Sequence, residues 1–116
     1  MNIPKNARVL EIGSGNHPYY RSDILCDKYL DDSSQRGSEL IIDRPLIIAD
    51  GQYLPFANHS FDYAICRHVV EHVEDPKLLF HELTRVARAG YFEIPSEISE
   101  KVYGWGFHHW VFKITL

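Results

Sequence analysis

Apolar residues fall in short unbroken runs along this chain, at residues 9–12, 40–42, 46–49, 61–66 and 91–94, each bounded by Gly, Pro, Asp or Asn. Brief runs rich in branched side chains between such breakers read as strands. The runs are continuous instead of alternating, the pattern of parallel strands covered on both faces. A weaker strand is expected at residues 23–27, around Ile24, Leu25 and Cys26. Asp75 and Pro76 mark a helix start, because Asp supplies a capping oxygen and Pro gives up an amide that would be unpaired there. Leu79, Leu83 and Val86 then fall on one face, Phe80 and Ala87 widen it, and Gly90 supplies the stop after Arg85 and Arg88. The predicted architecture is α/β, an open and mostly parallel sheet of about five strands.

Residues 28–37 are polar and predict a loop or a short surface helix. After Pro95 the character changes. Tyr103, Trp105, Phe107, Trp110 and Phe112 crowd beside Gly104, Gly106 and the pair His108 and His109, as a substrate-contacting loop or a piece of core. With 116 residues the chain fits a single domain, 1–116, with a core at 7–95 and an aromatic tail at 96–116.

Composition narrows the function classes. A hydrophobic share of 45% and a charged share of 24% match a chain that folds around an apolar core. The net charge of −4 disfavours nucleic acid as a partner. There is no long apolar run for a membrane and no charged-then-apolar leader at the N-terminus, so a cytoplasmic location is expected. Cys26 and Cys66 lack metal-binding or disulfide spacing and read as buried thiols, and no metal is expected.

The chemistry concentrates at strand ends. Residues 9–12 run directly into Gly13, Ser14 and Gly15, a turn whose bare backbone lets amides approach a ligand. A dinucleotide fingerprint would place a third glycine where Pro18 stands, and no P-loop lysine follows, so nicotinamide and nucleotide-triphosphate readings are disfavoured. Asp27 ends the second expected strand, where a carboxylate can accept both hydroxyls of a ribose. Asp50 ends a later one and is followed by Gly51, so an acceptor and an unobstructed amide stand together for an adenine edge.

These residues, followed by Leu54-Pro55-Phe56, by Ser60-Phe61-Asp62-Tyr63 and by the stretch from Val70 to Pro76, resemble the class I S-adenosylmethionine-dependent methyltransferases, in the small-molecule branch often called type 11. The resemblance spans residues 9–95 and implies a Rossmann-like fold with S-adenosylmethionine as cofactor and a small molecule as methyl acceptor. It implies that Glu11 helps hold the methionine amino group, that Gly13 and Gly15 admit the cofactor beside Ser14, and that Asp27 takes the ribose and Asp50 the adenine amine beside Gly51. Cys66, Arg67 and His68 would pass beneath the sulfonium end. His17 and Pro18 replace the third glycine, and only eight residues separate Gly15 from Ile24, so the first helix is expected to be very short or absent. The family's final antiparallel strand pair has too few residues to form after Pro95, so a C-terminally truncated or abbreviated sheet is expected, with homodimerisation through its exposed edge.

Methyl transfer from a sulfonium needs alignment more than a base, but a hydroxyl acceptor would have to lose a proton. His68, His72, His108 and His109 are the candidates, with His68 and His109 favoured by position. Two other readings compete. His68, Glu71 and His72 fit the H-x-x-E-H spacing of inverted zinc peptidases, although that motif belongs on a helix and here follows a strand. A non-catalytic binding or partner domain that keeps only the cleft is the other.

Overall fold

The computed structural model describes residues 2–13, 18–28, 44–67, 69, 73–96 and 110–115. Among the described residues there are six strands, β1 (Val9–Ile12), β2 (Ile24–Asp27), β3 (Leu46–Ile48), β4 (Phe61–Cys66), β5 (Ala87–Pro95) and β6 (Trp110–Thr115), and one helix, α1 (Pro76–Val86). They form one sheet in the order β3-β2-β1-β4-β5-β6, and every pair is parallel. The chain steps outward from β1 to β3 and then returns to the other side of β1 for β4. That reversal is the switch point at which open α/β sheets bind ligands, outside the carboxyl ends of their strands.

One face of the sheet presents Leu10, Ile12, Cys26, Ala64, Cys66, Phe92 and Ile94 to the buried stripe of α1, Leu79, Phe80, Leu83 and Val86. The i, i+4, i+7 spacing turns those helix side chains onto the sheet. The Phe80 ring meets Phe92 edge-on at 4.6 Å, and Phe92 stacks on Trp110 at 4.6 Å. The opposite face gathers Val9, Tyr63 and Ile65, packed by Ile3, Ala7, Tyr19, Ala89 and Tyr91. Cys26 and Cys66 are both buried and neither is in a disulfide.

Two expectations need correction. The helix stops at Val86 and not at Gly90, because Ala87 is already extended and its N–H closes on the Leu83 carbonyl. Ala87, Arg88 and Gly90 instead belong to the nine-residue β5. Gly90 lies against the Trp110 ring and the Ala64 carbonyl, where any side chain would overlap both, so packing explains its presence and not helix termination. Of the two readings of the aromatic tail, the piece of core holds for Trp110 and Phe112, which a sixth strand sets against the core.

The strand expected at residues 46–49 forms as β3 over 46–48, with no strand on its outer side among the described residues, and Ile48 is 50% exposed. β6 is the other edge, with Val111 57% exposed. The strand expected at 40–42 lies outside the described residues, as does most of the polar segment 28–37. Between Pro18 and β2 the backbone forms turns and no helix, and residues 14–17 of the first connection lie outside the described residues. No helix among the described residues is long and apolar enough to cross a membrane.

Candidate functional site

The register aligns the ends of four neighbouring strands. Ile12 stands opposite both Cys26 and Cys66, and Asp27 opposite Ile48. Gly13, Asp27, Asp50 and Arg67 therefore emerge along one edge of the sheet, at or just beyond the strand tips.

Gly13 has φ +66°, a conformation that costs an ordinary residue on the order of 1 kcal/mol or more. Its N–H donates to the Cys26 carbonyl at 2.8 Å, which locks the turn to β2. A side chain at Gly13 would also overlap the Val69 side chain beyond the tip of β4, which packs directly on the bare Gly13 backbone.

Glu11 is buried, 1% exposed, and a carboxylate placed there needs partners. Its Oε1 accepts from the Tyr19 N–H at 2.8 Å and the Ser22 hydroxyl at 2.7 Å, and its Oε2 from Arg67 Nη2 at 3.0 Å. The Arg67 guanidinium also lies over the Tyr19 ring, 5.8 Å from its centroid. Glu11 thus fastens the connection after the glycine turn to the tip of β4. Its carboxylate is engaged inside the protein.

Asp27 is buried at the end of β2, and its carbonyl accepts from the Ala49 N–H at 3.1 Å. Asp50 begins a turn in which its Oδ1 accepts from the Gln52 N–H at 2.9 Å and from Gln52 Nε2 at 3.1 Å. Lys28 Nζ lies 3.3 Å from Asp50 Oδ2. Burial works to raise the Asp50 carboxyl, but the Gln52 and Lys28 contacts outweigh it and hold the group below its ordinary value. Gly51 has a packing reason of its own, since a Cβ there would come within 2.7 Å of Leu79 Cδ1 on α1.

Behind this edge, burial and then the charges of Asp27 and Asp50 push the Cys26 thiol up to about 12. A thiol that remains protonated is not a nucleophile. The loop after Gln52 is clamped to α1: Glu82 Oε2 accepts from the Leu54 N–H at 2.6 Å, while Arg85 donates to Glu82 and to the carbonyls of Leu54 and Phe56.

Ser14, Gly15, His68, His72, His108 and His109 lie outside the described residues, and with them the H-x-x-E-H pattern apart from Val69. Among the described residues no group of three or more His, Cys, Asp or Glu is placed to hold a metal. A shallow depression lined by Pro4, Lys5, Asn6, Ala7 and Asp62 lies at the opposite end of the strands. There Asp62 accepts from the Arg8 N–H at 2.8 Å.

Sequence reasoning missed Ser22 and Gln52. Both are polar residues in connections, and only the fold reveals that Ser22 sits against the buried Glu11 carboxylate and that Gln52, itself buried, bridges the part-exposed Asp50 to Asp75. Gln52 carried one signal, its position two residues after Asp50, the spacing at which an Asp side chain receives a backbone amide.

Comparison with known proteins agrees with this geometry. A family model described as a methyltransferase domain matches residues 10–92, most of the chain. An uncharacterized protein of Methanocaldococcus jannaschii is 34% identical over 91 residues, which cover 77% of this chain and 43% of that protein. A SAM-dependent methyltransferase of Thermotoga maritima superimposes with a TM-score of 0.59 at 23% identity, covering 78% of this chain and 44% of that one. One from Methanosarcina mazei gives a TM-score of 0.55 at 18% identity, covering 87% and 58%. The matched parts therefore span between two fifths and three fifths of the length of these relatives.

Proposed function

From the premise that this chain belongs to the methyltransferase-domain family, we propose that it binds S-adenosylmethionine along the tips of β1, β2 and β3 and passes the methyl group to a small-molecule acceptor beyond β4 and β5. One observation carries this reading: Gly13, Asp27 and Asp50 follow the ends of three adjacent parallel strands. Two strand spacings make that row about 10 Å long, the scale of a nucleoside.

The donor set fits the group. A nucleoside offers ribose hydroxyls and an amino group as donors, and ionised carboxylates are acceptors only. Asp27 takes the ribose and Asp50 the adenine amine, with Gly51 lending its amide. Gly13, Ser14 and Gly15 keep the turn free of bulk. Glu11 holds the Arg67 guanidinium and the glycine-turn connection in place, so it acts on the methionine end through its neighbours.

When bound, the cofactor supplies a methyl carbon already activated by the positive charge on sulfur. What remains for the protein is to hold donor and acceptor in line and to keep water out. Pairing with Glu11 cancels the charge of Arg67, so the β4 tip does not repel a sulfonium. For a hydroxyl acceptor, His68 or His109 receives the proton. The buried thiols Cys26 and Cys66 suit a reducing, cytoplasmic setting.

Titration calorimetry with S-adenosylmethionine and its demethylated product tests the reading. Wild type is expected to bind both, and Asp27→Ala to lose about tenfold or more, roughly 1.4 kcal/mol. Unchanged affinity in that variant would remove the basis for the assignment. Tight binding with no turnover on any acceptor would instead favour the binding-domain alternative.

A further inference from the structure

Gln52 is only 6% exposed, in a loop beside the proposed adenine end of the site. Its Nε2 donates to Asp50 Oδ1 at 3.1 Å and Oδ2 at 3.3 Å, and its Oε1 accepts from the Asp75 N–H at 2.8 Å. Asp75 is the N-cap of α1, its own carboxylate receiving the Lys77 and Leu78 amides. The two partners fix which way the Gln52 amide points, because a carboxylate can only accept and a backbone N–H can only donate. A glutamate would satisfy Asp75 but repel Asp50, and an apolar side chain would satisfy neither. The bonds also divide the labour within Asp50. Oδ1 takes the backbone N–H of Gln52 and the shorter of the two Nε2 contacts, whereas Oδ2 takes the longer one, at 3.3 Å, and faces the half-exposed Lys28, also at 3.3 Å.

We propose that Gln52 is a positioning residue that turns the Asp50 carboxylate to accept an exocyclic amine, which makes this end of the site select adenine over a purine carrying an oxo group there. The proposal rests on the cofactor reading above and deepens it to a named determinant of base specificity. An oxo group would face a carboxylate with no proton to share. Sites built to hydrogen-bond one group reject the analogue that lacks it more strongly than apolar pockets do.

The experiment measures binding of S-adenosylhomocysteine and of its hypoxanthine counterpart to wild type, Gln52→Glu, Gln52→Met and Lys28→Met, with a melting curve for each protein. Wild type is expected to prefer adenine by about tenfold or more. Gln52→Glu and Gln52→Met are expected to lose most of that preference, the first because two adjacent carboxylates share a proton that can be donated to an oxo group. Lys28→Met, on an exposed side chain, is expected to widen the preference, since it removes both the competitor for Oδ2 and a donor to the oxo group. A purely structural Gln52 would lower the melting temperature and leave the ratio alone, and that result overturns the proposal. Should neither Gln52 variant fold, the Lys28→Met ratio decides: a wider preference supports the proposal and an unchanged one overturns it. Wild type binding both ligands equally overturns this inference only, whereas wild type binding neither overturns the cofactor reading and the inference with it.

Discussion

Arg67 Nη2 sits 3.0 Å from Glu11 Oε2, which ties the exit of β4 to a buried carboxylate on β1. Arg67 keeps partial access to solvent and Glu11 has almost none, so the cost of separating them falls on Glu11. Removing one member of such a pair leaves a buried charge short of a partner, at about 3 kcal/mol. Arg67→Met is expected to lower unfolding free energy by that order in a urea titration. A loss below about 1 kcal/mol would mean that the Tyr19 and Ser22 donors suffice alone.

Gly90 provides a second test, this time of packing. An added methyl group would overlap both the Trp110 ring and the Ala64 carbonyl, and the latter is backbone that cannot swing aside. Overpacking of this kind costs about 1–3 kcal/mol. Gly90→Ala is expected to destabilise the protein by at least that much and to shift Trp110 fluorescence as the ring leaves Phe92. A neutral Gly90→Ala would count against the placement of β6 beside β5.

Much of the sheet was legible because its buried strands are continuous apolar runs, and Asp27 and Asp50 were legible because each follows such a run. The same signal misled at residues 87–90. Val86 and Ala87 are apolar on either side of a boundary at which helix passes directly into strand, with no polar loop to mark it. β6 was hidden for a different reason: Trp110 and Phe112 belong to an aromatic cluster whose spacing suits a loop as well as a strand, and only pairing with β5 decides. Ser22 could not be ranked from sequence because its importance comes from the buried Glu11 on β1, 11 residues earlier, and Gln52 because its second partner, the Asp75 N–H, lies 23 residues along the chain.

Acid stability follows from the carboxylates. The bond from Arg85 is the main influence holding Glu82 below its ordinary 4.5; its other contacts add to this and burial opposes it. Asp50 is likewise held below its ordinary 3.8. A depressed folded value means that the unfolded chain binds the proton more readily. The stabilisation is therefore complete above the ordinary values and is lost as pH falls through the folded ones. Wild type is expected to lose stability below about pH 4.5, and Glu82→Gln to start lower and show a shallower decline. Parallel pH profiles for the two proteins would show that Glu82 carries none of it.

At alkaline pH the sign reverses. Burial and the charges of Asp27 and Asp50 push the Cys26 thiol from an ordinary 9.0 up to about 12. Burial, then the bond to Glu93 and the charge of that carboxylate, carries the Tyr91 hydroxyl from 10.0 up to about 12. Below the ordinary values both states keep these protons and nothing changes. Above them the unfolded chain ionises while the folded one does not, so the folded state holds more protons and stability must fall as pH rises toward the folded values. Urea midpoints measured from about pH 8 to about pH 11 are expected to decline, less steeply in Cys26→Ala and in Tyr91→Phe, and least in the double variant. The two residues lie on opposite faces of the sheet, so their effects should add. A wild-type midpoint that stays level across this range would mean that water reaches both groups in the folded protein, and that neither face is closed as tightly as its packing requires.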